Sequence, residues 1–250
     1  MEKQISFKSR ARLMPQLGDQ LIKNESIALL ELVKNSYDAD AIEVTLEMND
    51  IDKPKIGKIT ILDNGDGMDL QVVQNSWMEI GTDNKQKLFE QYVNQKTRSK
   101  LGRLPMGEKG IGRFGVHKLG NKITLITRKE NGKEVVVNID WKAFEKYQYL
   151  EQVPISVIER EPEFFEGKKK GTYIEITDLK NVWTRGKLRE VYRSVISLQS
   201  PFESIQSFNI YFKTNLKSWL EGLITVDKIR DNALFFADVE IEKNLITNLE

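Results

Sequence analysis

Three clusters of polar residues have the types and spacing to do chemistry. The first is Glu31, Asn35 and Asp38 in the stretch ELVKNSYDADA. At about 100° per helical residue they fall within an arc of roughly 60°, away from a stripe formed by Leu29, Leu32, Val33 and Ser36. Two carboxylates and an amide converging in this way can meet one polar ligand. Charged residues opposite a core stripe are also the ordinary pattern of a solvated helix face, and this cluster alone does not separate the two readings. The second cluster is Asp63-Asn64-Gly65-Asp66-Gly67-Met68, at the end of the apolar run KITIL. Asn-Gly and Asp-Gly are strong turn signals, so a tight hairpin is one reading. The other is a carboxylate held at a strand end, with glycines that let a flat ligand approach the backbone. A calcium loop does not fit, because in register from Asp63 the ligand positions fall on glycines and no closing glutamate follows.

The third cluster is Gly107-Glu108-Lys109-Gly110-Ile111-Gly112-Arg113-Phe114-Gly115. Glycine-rich turns that open a helix expose backbone N–H groups and suit phosphate. Gly110, Gly112 and Gly115 satisfy G-x-G-x-x-G, yet no strand leads into them and no βαβ unit surrounds them, so a dinucleotide fold is a weak reading. Gly102 to Lys109 falls short of a Walker loop: Glu108 follows Gly107, and no serine or threonine follows Lys109.

These clusters need elements to hold them. Asn24 to Ser26 offer helix caps before IALLELVKNSYDADA, which predicts a helix. AIEVTLEM alternates Ile42, Val44, Leu46 and Met48 with polar residues, as a half-buried strand does. Lys53, Pro54 and Gly57 suit a turn before GKITILDNGDGM, a second strand running into the glycine-rich corner. A short helix is expected from Gln71 to about Ile80. Residues Gly81 to Pro105 read as a long mobile connection, with a helical turn around Lys87 to Tyr92. KITLITR and KEVVVNIDW predict a hairpin around Glu130-Asn131-Gly132, and KGTYIEITDL a further strand. A helix over Lys187 to Leu198 places Leu188, Val191, Tyr192 and Val195 at core spacing, and FNIYFK and ALFFADVEIEK read as strands. Strands outnumber helices, which points to an α+β fold: a mixed or antiparallel sheet covered by helices on one face.

The composition narrows the chemistry. The chain has 250 residues, with 38 basic against 37 acidic side chains and a net charge of +1, so bulk charge names no partner and does not support nucleic acid as one. There are no cysteines, which removes disulfides, thiolate zinc sites and cysteine nucleophiles. His117 is the only histidine, so a multi-histidine metal site is excluded; in GVHKLGNK it is expected to be an exposed or capping residue beside a helix end. MEKQISFKSR has no apolar signal core and no run reaches membrane-spanning length, so the expectation is a cytoplasmic protein without a membrane partner.

The order of the clusters adds more than any one of them. An E-x-x-x-N-x-x-D-A helix, a D-x-G-x-G turn, a long polar segment, a G-x-x-G-x-G loop and Gly171-Thr172 entering a strand resemble the ATP-binding boxes of the GHKL superfamily, which includes gyrase B, the ninety-kilodalton heat-shock chaperone, histidine kinases and MutL. The resemblance covers residues 17–198 and is nearest to the chaperone-like and MutL-like branches. It implies the Bergerat fold, a two-layer α/β sandwich with a long ATP lid over residues 81–106, within an ATP-binding domain of residues 1–200. Residues 201–250 are then C-terminal strands opening a truncated second domain. The implied ligands are ATP or ADP with Mg2+. Asn35 matches the magnesium-binding asparagine, and Glu31 the glutamate that orients or deprotonates the attacking water. Asp38 falls near the nucleotide sugar or the magnesium shell. Asp63 matches the aspartate that accepts a hydrogen bond from the adenine amino group, with Gly65, Gly67 and Met68 lining the base pocket and Thr172 supporting the same network. Gly107, Gly110 and Gly112, with Ile111 among them, match the lid hinge that holds the phosphates, and Lys109 is a phosphate contact. Lys85, Lys87, Arg98, Lys100 and Arg103 fall among the lid charges, although for each one alone a place in a solvated loop is the preferred reading.

The implied function is Mg-dependent ATP hydrolysis coupled to lid closure and to dimerisation of the full-length protein. In these relatives a second domain supplies a lysine or arginine to the γ-phosphate, so turnover by this chain alone is expected to be weak. Two alternatives stay open: a histidine protein kinase catalytic domain, although His117 lies inside the glycine-rich region, and a nucleotide-sensing module that does not hydrolyse.

Overall fold

The structure, a computed structural model, describes residues 6, 8–79, 90, 98–106, 115–167, 169–199, 208–223, 239–242 and 245–249. The first helix, α1 (Leu13–Leu21), is not foreseen by the sequence pattern, because Pro15 and Gly18 interrupt it. Pro15 sits in the first turn, where its missing N–H has no intrahelical partner to lose. The next helix, α2 (Glu25–Asp38), starts where expected: the Asn24 side chain accepts from the Ile27 amide at 2.8 Å. It buries Ala28, Leu29, Leu32, Val33 and Ser36.

Strands β1 (Glu43–Asn49) and β2 (Lys58–Asp63) follow as an antiparallel pair. A short helix α3 (Leu70–Val72), capped by Asp69, widens into a π turn over Val73–Trp77; the expected helix to Ile80 therefore begins in place and ends early among the described residues. After α4 (Gly115–Leu119) come the hairpin strands β3 (Gly120–Arg128) and β4 (Glu134–Asp140), with Asn131 at φ 57° in their turn. Then come β5 (Ser156–Arg160), β6 (Gly171–Leu179) and α5 (Arg185–Ile196). That last helix starts two residues before the expected Lys187 because Thr184 is its cap, accepting from the Lys187 amide. β7 (Asn209–Thr214) completes the main sheet, and β8 (Val239–Glu242) with β9 (Leu245–Leu249) forms a separate hairpin.

The seven-stranded sheet runs β5-β4-β3-β6-β2-β1-β7, antiparallel except for the parallel β1–β7 pair. One face carries Val44, Leu46, Met48, Ile59, Ile61, Leu125 and Ile176, all buried against the helical layer. Each such side chain removed from water contributes about 1.5–3 kcal/mol before entropy is counted. The other face carries Thr45, Leu62, Tyr173 and Tyr211, half-buried or exposed. The mixed, mostly antiparallel sheet with helices on one face is the α+β arrangement the patterning implies. Its registers place Asp63 beside Thr172 and Thr172 beside Thr127, a polar row across β2, β6 and β3 on the helix-facing side. No helix among the described residues is long and apolar enough to cross a membrane.

Candidate functional site

Asp63 ends β2 only 7% exposed. Its Oδ1 accepts from the amides of Gly65 at 3.0 Å and Thr172 at 3.1 Å, and its Oδ2 accepts from Ser36 Oγ at 2.8 Å. Burial pushes the carboxyl group's pKa upward, and these hydrogen bonds act against that shift without cancelling it. A carboxylate offers roughly four acceptor sites, so one position on Oδ2 remains for an N–H of a ligand. The corner after it is locked to the end of α2. The Asp66 amide donates to the Ala39 carbonyl at 2.7 Å, and the Asn64 side chain accepts from the amides of Ile42 and Glu43.

The glycines of this corner lie tight against protein backbone. At Gly67, with φ +64°, an added Cβ would lie 2.0 Å from the Arg128 carbonyl oxygen; at Gly65 it would meet the Ala39 carbonyl at 2.7 Å. Gly171 likewise sits against the Asp63 carbonyl. At these positions the missing Cβ lets the chain approach itself. Met68, half-buried, donates its amide to Thr127 Oγ1 at 2.9 Å; Thr127 Oγ1 in turn donates to the Gly171 carbonyl and lies 3.1 Å from Thr172 Oγ1.

On α2, the Glu31 side chain is 25% exposed and pairs with Lys34 at 2.9 Å. Asn35 and Asp38 are half-buried, and Asn35 directly precedes the Ser36 that binds Asp63. Asp38 accepts from the Met106 amide at 2.7 Å and Asp40 from Ser99 Oγ at 2.6 Å, so both carboxylates hold the chain that returns to the helix end. Arg103 corrects the expectation of a solvated lid charge. Only 7% exposed, it donates to the Ala41 carbonyl at 2.6 Å and the Tyr37 carbonyl at 3.3 Å, with its guanidinium 4.5 Å from the Tyr37 ring centre. The run of described residues at the end of the expected mobile connection, 98–106, is therefore fastened to the end of α2 and the residues just after it. Lys100 remains exposed and joins Lys170 on the Asp66 carboxylate, at 3.0 and 2.8 Å. Burial acts to raise the Asp66 pKa, and the two lysines outweigh it, leaving it below the usual value.

His117 is a second correction. It is 4% exposed, edge-on to Trp141 with ring centres 5.1 Å apart, and Lys180 Nζ lies 2.7 Å from Nε2. It is buried because α4 turns it inward: Gly115 lies against Ala28, an added Cβ there meeting the Ala28 Cα at 3.1 Å, so the short helix sits close on α2. Gly107, Lys109, Gly110, Ile111 and Gly112 lie outside the described residues, as do Lys85, Lys87 and nearly all of residues 80–97.

The sequence reading missed Ser36 and Thr127 as site residues, and both left a visible sign. Ser36 is a hydroxyl on the apolar stripe of α2; Thr127 follows Ile123 and Leu125 on the core-facing side of β3. Arg128 was also missed. Buried, it donates to the carbonyls of Gly132, Phe165, Gly167 and Lys169, shaping the loop that brings Lys170 to Asp66.

A groove of about 520 Å3 reaches the corner itself: Asp63, Asn64 and Lys170 line it together with Glu43, Thr45, Leu62, Phe164, Phe165 and Lys169, of which Thr45 and Leu62 belong to the sheet face away from Ser36. Among the described residues no group of three or more His, Asp or Glu side chains could hold a metal by itself. A cation fits here only if a ligand brings most of its oxygen donors, with one amide oxygen such as that of Asn35 added.

The elements match a known arrangement: the acid–amide helix, the strand-end aspartate and the Gly171-Thr172 strand entry come together on one side of a mixed sheet. The family model described as "Histidine kinase-, DNA gyrase B-, and HSP90-like ATPase" matches residues 23–172. No curated protein was found to match the chain. The matched span begins just before the α2 cap and ends at the threonine beside Asp63, and the chain belongs to the histidine kinase-, DNA gyrase B- and HSP90-like ATPase family.

Proposed function

We propose that the chain binds ATP as its magnesium complex and hydrolyses it, in the manner of the chaperone-like and MutL-like branches of the family. The observation that carries this reading is Asp63: a buried carboxylate whose position is set by Ser36, Gly65 and Thr172 and which keeps one acceptor site. An adenine 6-amino group satisfies that site, whereas guanine presents a carbonyl there and leaves the carboxylate facing an acceptor. Met68 and the Thr127–Thr172 pair form the wall beside it.

Asn35 contributes its side-chain oxygen to the magnesium shell. When bound, the cation screens the phosphate charge that builds up during transfer. Glu31, one turn earlier on α2, orients and deprotonates the attacking water; because phosphoryl transfer depends mostly on positioning and charge, one carboxylate is enough for this role. Its ion pair with Lys34 must open or shift for the carboxylate to reach water. Gly107, Lys109, Gly110, Ile111 and Gly112 supply the phosphate contacts, and residues 81–106 include the lid, whose closure couples to dimerisation while residues 98–106 stay anchored at the end of α2.

That same Glu31–Lys34 pair favours a second reading, in which nucleotide is sensed and not hydrolysed. Phosphate release measured beside ATP binding separates the two. Hydrolysis lost in Glu31→Gln with binding within about threefold of the parent supports the ATPase. Binding without release in the parent chain, whatever partner domain is added, supports the sensor.

A further inference from the structure

Thr127 is fully buried on β3, and three polar contacts converge on its hydroxyl oxygen. The Met68 amide lies 2.9 Å away, the Gly171 carbonyl 3.1 Å and Thr172 Oγ1 3.1 Å. An amide N–H can only donate and a carbonyl can only accept. The first contact therefore takes one lone pair of Thr127, and the second takes its single proton. That leaves one arrangement for the third: Thr172 donates to the remaining lone pair of Thr127. Buried polar groups in folded proteins nearly always have their partners, and this is the arrangement that satisfies all three contacts at once.

The consequence falls on Thr172. The β2–β6 register sets it beside Asp63, and its amide donates to Asp63 Oδ1 at 3.1 Å. It is half-buried, whereas Thr127 behind it has no exposed surface. With its proton committed to Thr127, Thr172 Oγ1 has only lone pairs to offer a ligand. An ionised Asp63 likewise only accepts.

We propose that Thr127 is a positioning residue for base selection: by taking the proton of Thr172 it makes the corner a pair of acceptors, matched to an exocyclic amino group with two hydrogens to give. The inference rests on the nucleotide reading above and deepens it at the base. A ring carbonyl in the same place meets lone pairs at Asp63 and again at Thr172. Without the Thr127 hydroxyl, that of Thr172 is released to turn and donate, and the second part of the rejection is lost.

The test is a ratio of affinities in the full chain, read by calorimetric titration with ATP and with inosine triphosphate in the presence of magnesium. Thr127→Val keeps the shape and removes the hydroxyl. It should reduce the parent's preference for ATP about five- to tenfold, with inosine triphosphate binding more tightly relative to ATP. Thr127→Ser restores a hydroxyl and should keep the preference within about twofold of the parent's. A residue that only supports the fold would instead weaken both nucleotides alike. Thr127→Val also strips the Met68 amide and the Gly171 carbonyl of a partner; should it fold poorly, Thr172→Val reads the same device from its half-buried end. An oriented acceptor predicts a preference reduced about five- to tenfold there too, whereas a freely turning hydroxyl predicts equal losses for both nucleotides. The two possible failures are distinguishable. A parent chain that binds neither nucleotide, or both equally, overturns the base reading and this proposal with it. A parent preference for ATP that survives intact in either valine variant, or that is lost in Thr127→Ser, overturns the proposal alone.

Discussion

The two ends of the α2–β2 contact differ in how finished they are. At Asp63 two amides and a serine hydroxyl fix the carboxylate before any ligand arrives, with a hydrogen-bonded pair of threonines beside it. At Glu31, five residues before Ser36 on α2, the side chain is a quarter exposed and its described partner is a lysine on its own helix. Preorganised dipoles do their work without rearranging, whereas a solvated, paired carboxylate must first be released. In the proposed function the sheet would recognise the base, and the chemistry would fall to a helix surface that has to be completed.

The strongest way to break the comparison is at its rigid end. Asp63→Asn keeps an oxygen for the Gly65 and Thr172 amides and an amide that can donate to Ser36, so the fold should survive. ATP affinity should nevertheless drop at least about a hundredfold, because an amide N–H then faces the adenine amino group. The same variant should be as stable as the parent at pH 7, or more so. A carboxyl whose folded pKa is raised contributes stability that is complete at low pH and is lost as pH rises from about 3.9 towards the folded value. The variant's advantage in melting temperature should therefore shrink towards pH 4, and a constant difference across that range would speak against a strained Asp63. At the unfinished end, Glu31→Gln should cut phosphate release by about a hundredfold with binding nearly unchanged, as measured by single-turnover kinetics and calorimetry.

Smaller effects sharpen the picture. Gly67→Ala should cost at least about 2 kcal/mol in chemical denaturation, since its Cβ would meet the Arg128 carbonyl at 2.0 Å and the left-handed backbone adds strain. Arg103→Met should cost about 1–3 kcal/mol by leaving the Ala41 carbonyl without its donor. A loss below about 0.5 kcal/mol would mean the 98–106 segment is not fastened to α2 in solution. Acid should weaken the fold through Glu134 and Asp66. Burial works to raise both carboxyls, but the Phe165 and Phe164 amides with Arg160, and Lys170 with Lys100, outweigh it and hold them below their ordinary values. Their contribution is present above about pH 4.5 and is lost as pH falls further, which a melting series from pH 6 to 3 would reveal.

Much of this architecture can be read from residue order, and the failures have physical causes. The α2 cap at Asn24, the alternation in β1 and the Asn131 turn are local signals, and each lies where propensity and periodicity put it. The α1 helix was hidden by Pro15 and Gly18, which tertiary contacts override. Arg103 and His117 were misjudged because burial depends on what meets a residue across the fold: Tyr37 and Phe208 for one, Trp141 for the other. The close approach of the DNGDG glycines to Ala39 and Arg128 is not legible in the sequence, since those atoms lie far from them along the chain. Ser36 shows the reverse case: its place on the core stripe was plain, and only the register of β2 against α2 reveals that it serves Asp63.

Inosine triphosphate differs from ATP at the one position Asp63 is proposed to read, carrying a carbonyl where adenine has an amino group. Calorimetric titration of the chain with both nucleotides in the presence of magnesium is accordingly the most direct test. The account predicts that ATP binds at least about a hundredfold more tightly than inosine triphosphate and that Asp63→Asn closes most of that gap. Equal affinities in the parent chain would contradict it, and the base would have to be recognised somewhere else.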